Sequence, residues 1–220
     1  MTARIDRGLV LGLLLTGLFL AGAAGLEGTQ RARLQRIHEE ELLYYPSGVA
    51  VRQAALGYET AAADLTWLRG IQYYGEHRLT DQKYVLIGHV MDIVTELDPA
   101  FTQPYVFGAF VMAQELHEPQ RGLDLLTRGM RANPTDWRLA FEVGFLHYVS
   151  RHDYASAARY FTWASRLPGH EDYVPRFAAF ASGRAGNTGM AILLWKQVLA
   201  TGNEYMQDVA KRELNRLGAP

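Results

Sequence analysis

The sequence contains no cysteine. Disulfide scaffolds, thiolate zinc sites, iron–sulfur ligation and thiol nucleophiles are therefore excluded, although the absence does not identify a compartment. An excess of one charge is missing too: 22 lysines and arginines stand against 23 acids, with a pI near 6.7. A chain so balanced lacks the cationic surplus that neutralises a phosphate backbone, and nucleic acid is not an expected partner. Catalytic signatures are also lacking. There is no Gly-x-Ser-x-Gly, no phosphate-cradling glycine loop ending in Lys-Ser or Lys-Thr, and no dinucleotide fingerprint. The expectation is a protein that is not an enzyme and uses no cofactor. What the chain does have is apolar substance, 49% of 220 residues, enough to bury a core and to exclude disorder over most of its length.

Histidine offers little metal chemistry. His38-Glu39-Glu40-Glu41-Leu42 starts like a metalloprotease His-Glu-x-x-His motif but lacks the second histidine, and reads as a solvated face. His147 and His152 are five apart across an expected helix end, so they do not share a face. No metal site is expected.

Residues 8–26 run without a charge and are rich in leucine. A bilayer core of roughly 30 Å needs about 20 helical residues, because the backbone must satisfy its own hydrogen bonds there. Residues 1–28 are thus read as a transmembrane anchor, with a signal peptide as the alternative. Arg4 and Arg7 ahead of the run and the small residues Ala21-Gly22-Ala23 suit cleavage; the length of the run suits retention. Arg31, Arg33 and Arg36 on the far side balance the positive-inside count. The signal-like start places the C-terminal bulk outside the cytoplasm, in a periplasmic or other extracytoplasmic space. Gly8-x-x-x-Gly12 and Gly17-x-x-x-Ala21-x-x-x-Gly25 have spacings that let a second helix approach, and also suit an ordinary membrane segment. Residues 29–58 read as a linker, with a helix over 30–43 carrying Leu34 and Ile37 among charges, and a turn at Tyr45-Pro46-Ser47-Gly48.

Over residues 59–220 several cues recur at one period. Pro99, Pro134 and Pro168 follow one another at 35 and 34 residues. Upstream of the first two stand apolar or small residues at matching offsets, Ile87, Met91 and Val94, then Gly122, Leu126 and Gly129; the third set is Ala157, Phe161 and Ala164, with its proline one residue early. A fourth set, Ala191, Trp195 and Val198, ends at Thr201-Gly202-Asn203 without a proline. Spacings of four and three set each group on one helical stripe. A second apolar segment precedes each stripe, over 64–75, 105–116, 137–149 and 173–185, with turns at Thr80-Asp81, His117-Glu118-Pro119, Arg151-His152-Asp153 and Gly186-Asn187. The spacing predicts four helical hairpins. Glu204 to Leu217 predicts one more amphipathic helix, suited to capping the array, and residues 49–63 suit a cap at the other end or the start of a long first helix.

This pattern resembles the tetratricopeptide repeat (TPR) family, in a membrane-anchored protein of bacterial type. The likeness is carried best by Asp153-Tyr154-Ala155-Ser156-Ala157-Ala158-Arg159-Tyr160-Phe161, with Val143-Gly144 for the family's Leu-Gly pair. Phe107-Gly108 plays that part in the second unit, one residue further from Gly122 than Gly144 is from Ala157; Tyr74-Gly75 is the nearest match in the first. The resemblance implies an all-α fold, a TPR-like solenoid, whose first helices line a concave groove for a partner's peptide or helix. On those helices Arg69, Gln72, Glu76, Phe107, Gln114, Glu115, Arg138 and Glu142 are the candidate binding residues, a groove of mixed sign. The expected function is a membrane-tethered scaffold that binds protein partners, subunits of a membrane or envelope complex, while residues 8–26 engage the lipid bilayer. An exported, soluble module that binds a peptide or small molecule after cleavage is the alternative.

Overall fold

The computed structural model describes residues 47–219, together with residues 16, 17 and 21. Apart from those isolated positions, the apolar segment at 8–26, the helix expected over 30–43 and the Tyr45-Pro46 half of the turn lie outside the described residues. Among the described residues no helix is long and apolar enough to cross a membrane. All regular structure described is helical: α1 (Gly48–Ala55), α2 (Glu59–Leu79), α3 (Ile87–Leu97), α4 (Thr102–Phe110), a π-helical turn (Val111–Glu115), α5 (Pro119–Ala132), α6 (Trp137–Val149), α7 (Tyr154–Ala164), α8 (Val174–Arg184), α9 (Thr188–Thr201) and α10 (Glu204–Arg216).

The helices begin where side chains can satisfy free amides. Asp136, Asp153, Asn187 and Asn203 stand immediately before α6, α7, α9 and α10, and each accepts a hydrogen bond of 2.9–3.1 Å from a backbone N–H two or three residues on. Pro119 opens α5, where a missing N–H costs nothing. Ser47 belongs to a helix start, since its hydroxyl accepts from Ala50 N–H at 3.2 Å. The compact unit accordingly begins at Ser47, and α1 packs against α3, fastened by Arg52, which donates to the carbonyl of Glu96.

From α2 onward each helix packs chiefly on its neighbours in sequence: α2 on α3, α4 on α5, α6 on α7, α8 on α9 and α9 on α10, with α7 on α8 joining consecutive pairs. The stripes read from sequence form these contacts. Ile87, Met91, Val94, Leu126, Ala157, Phe161, Ala164, Ala191, Trp195 and Val198 are all buried, as are Gly122 and Gly129.

A second periodicity lies in the backbone. Gln82, His117, His152 and Gly186, spaced by 35, 35 and 34 residues, all adopt positive φ, between 54° and 80°. Each reverses the chain between the two helices of a pair, and the next stripe begins five residues later in every case. Three of the four are not glycine, and an L side chain is strained there by about 1 kcal/mol or more. His152→Gly is therefore expected to raise stability by up to about 1 kcal/mol, and Gly186→Ala to lower it by about 1 kcal/mol. Urea midpoints of the two variants check this directly.

The π-helical turn accounts for the irregular second unit. Leu116 N–H donates to the carbonyl of Val111, five residues back, so the turn takes in one extra residue before the reversal at His117. That is the residue by which Gly108–Gly122 exceeds Gly144–Ala157.

Candidate functional site

The candidate residues fall into three places. Arg69, Gln72 and Glu76 stand exposed on α2. Phe107 is half-buried in an aromatic stack between α2 and α4, its ring meeting Trp67 at 5.4 Å and Tyr74 at 5.0 Å edge-on. Trp67 also meets Phe101, and Tyr74 stacks on the buried Tyr84 at 5.0 Å. Such geometry holds helices together, so the part of Phe107 in the fold is packing. Beside this stack, Glu115 accepts from Arg78 Nη1 at 2.9 Å, and the same nitrogen donates to the Tyr74 hydroxyl at 2.8 Å. Those bonds hold the Arg78 guanidinium above its usual pKa. Gln114 donates to the Ser150 hydroxyl at 3.0 Å, tying the π-helical turn to the end of α6.

Arg138 and Glu142 lie on α6 in a second aromatic field. Phe141 sits among Phe161, Tyr173 and Phe177 at 5.1, 5.6 and 5.1 Å, with Trp137 and Phe145 along its own helix. The Arg138 guanidinium lies over the Trp137 ring at 5.4 Å and that of Arg176 over Phe177 at 5.6 Å. Glu142 is half-buried, and neither an ion pair nor a hydrogen bond reaches its carboxylate among the described residues. Burial raises its pKa above the usual carboxylate range. The fold thus holds more protons at this group than the unfolded chain between the ordinary value and the raised one. Its penalty is present at neutral pH and is relieved as the solution is acidified through that window. Glu142→Gln, which removes the buried charge and keeps the shape, is expected to raise the melting temperature at pH 7. The gain should vanish on acidification below the ordinary carboxylate pKa, and thermal scans at several pH values read both halves.

His147 runs the opposite way. Its Nδ1 is buried without a hydrogen bond among the described residues, lies 3.5 Å from Asp153 Oδ2, and its ring stacks on Tyr160. Burial lowers its pKa, so its contribution is complete at neutral pH and is lost as pH falls below the ordinary histidine value. Five residues on, His152 occupies the chain reversal, and no grouping of residues suited to a metal ion exists among the described residues.

Two features were missed in the sequence. Tyr173 and Phe177 extend the aromatic field from α8, and their four-residue spacing was the available signal. A groove of about 710 Å³ between α7 and α9 has Ser182 of α8 and Ala185 just past its end among its lining. Arg159, Trp163 and Arg166 stand along one wall, and Met190 and Leu194 along the other. Only the sequence Arg159-x-x-x-Trp163-x-x-Arg166, two cations around a tryptophan at the end of α7, hinted at it.

No protein-family model matches the chain, and no curated protein shows significant similarity to it.

Proposed function

We propose that this chain is a scaffold of the tetratricopeptide-repeat type, tethered through residues 8–26, that binds a protein partner on the aromatic and charged face formed by α6 and α8. The single observation that carries the reading is Glu142: a half-buried carboxylate with no ion pair or hydrogen bond among the described residues, whose charge acts on Tyr173 and whose helix carries Phe141 and Phe145. A fold gains nothing from such a group, whereas a cationic side chain arriving from a partner would pair with the carboxylate and lie against the rings. The sequential packing of helix pairs and the recurring positive-φ reversal support a solenoid, and a rigid solenoid beside a membrane raises the local concentration of whatever it holds. In this role the chain is not an enzyme.

Affinity purification of the full-length protein from detergent-solubilised membranes tests it. The expected result is a stoichiometric membrane subunit retained by the wild type and depleted at least tenfold by Glu142→Gln, a variant that folds at least as well. Recovery of the protein alone, or equal recovery of a partner by both, would end the assignment of this face. Intact-mass measurement separates the anchored form, which keeps residues 1–28, from an exported form that has lost about 23 of them.

A further inference from the structure

The groove between α7 and α9 lies apart from Glu142 and its aromatic field, and its chemistry is different. Its charged lining residues are Arg159 and Arg166; no acid lines it. The Arg166 guanidinium has neither an ion pair nor a hydrogen bond among the described residues, and the Arg159 guanidinium donates only to the Ser156 hydroxyl, at 2.9 Å. Asp153, on which Arg159 acts electrostatically, is committed to capping α7 through Ser156 N–H. Between the two arginines the Trp163 ring is 45% exposed, and across the groove Met190 is 43% exposed. The floor is narrow-sided and small, made of Ala155, Ala158, Ser182 and Ala185. Exposed tryptophan and methionine beside unpaired guanidinium groups are what an interface centre presents before its partner arrives.

From this we infer a second binding site, for an extended acidic peptide segment of a protein partner, with two carboxylates flanking an apolar residue. The charge complementarity sets the sign, and the spacing sets the form. Arg159 lies on α7 and Arg166 in the turn just past its end, one on either side of Trp163 along the chain. In an extended peptide successive side chains point to opposite faces, so acids four positions apart share a face with one apolar side chain between them and span about 13 Å, within reach of two long arginine side chains. The apolar side chain between them then meets Trp163, Met190 and Leu194 while the carboxylates take the two guanidinium forks. A groove of about 710 Å³ lies within the range of sites that enclose such a segment.

The test uses full-length protein in detergent micelles and a fluorescein-labelled, end-blocked Glu-Ser-Leu-Ser-Glu peptide read by anisotropy. The expected result is saturable binding that weakens at least tenfold with Arg159→Glu or Arg166→Glu and again on raising salt from 50 to 500 mM. It should persist in Glu142→Gln, which separates this site from the α6–α8 face. The end-blocked Gln-Ser-Leu-Ser-Gln peptide should not bind. Melting temperatures within a degree or two of wild type show that the two exposed arginine variants are folded. Absence of saturable binding at millimolar peptide overturns the proposal. So does equal binding of the amide peptide, unchanged affinity in both arginine variants, or occupancy of the groove by dodecanoate in preference to peptide.

Discussion

Phe161→Ala is expected to destabilise the helical unit by about 3–5 kcal/mol, the largest loss from truncating any one side chain considered. Phe161 is wholly buried on α7. Its ring contacts Phe141 at 5.1 Å and Tyr148 at 6.4 Å on α6, and Phe177 at 5.4 Å on α8. One side chain therefore joins three successive helices, one pair and the start of the next. Removing the ring loses its transfer free energy and leaves a void that the surrounding rings, fixed by one another, are poorly able to fill. Because Phe141 and Phe177 also frame the face that carries Glu142, partner binding should fall along with stability. Chemical denaturation with circular dichroism gives the stability directly, and a loss under 1 kcal/mol would show that α7 does not bridge its neighbours in this way.

The contrast between stripe and site explains how much was legible beforehand. A buried stripe must repeat every three or four residues, and a two-helix unit must repeat its turn, so Ala157, Phe161 and Ala164 declared both their burial and their unit. The bounds of α6 (Trp137–Val149) were readable for the same reason: Asp136 caps its start and the apolar run stops at Val149. Tyr74-Gly75 misled, because the pair matched a local motif while its helix, α2, runs from Glu59 to Leu79 and offers two glycines, Gly70 and Gly75. An added Cβ at Gly75 meets nothing within 4 Å, whereas one at Gly70 lies 2.9 Å from Val90 Cγ1 and Met91 Cε. The close approach of α2 to α3 is therefore at Gly70. The candidate site was less legible still. Polar residues on an exposed face follow no period, so Arg69, Gln72 and Glu76 looked equivalent to Glu142, and only three-dimensional packing distinguishes the one carboxylate among the described residues that burial holds above its usual pKa. The groove beside Trp163 depends on two helices that are far apart in sequence, α7 and α9, and no local pattern encodes their separation.

The glycines that allow these approaches supply the second large effect. Gly122→Ala is expected to lower stability by about 1–3 kcal/mol, even though alanine is the better helix former by about 1 kcal/mol. The Cβ it adds would lie 2.7 Å from the backbone carbonyl oxygen of Ala109 and 3.1 Å from Leu146 Cδ2. A flexible side chain can withdraw from such a clash; a carbonyl held inside α4 cannot move without shifting α4 away from α5, on which the neighbouring pair also leans. Gly75→Ala serves as the internal control. It makes the same chemical change inside a helix where the new methyl meets open space, so only the propensity gain remains and stability should rise by about 0.5–1 kcal/mol. Opposite signs in one pair of denaturation curves would set the register of four helices at once, because Gly122 is tight only if α4, α5 and α6 meet as described, and Gly75 is open only if α2 presents that face away from α3. Two variants moving in the same direction would leave the hairpin register, and with it the α6–α8 face, without support.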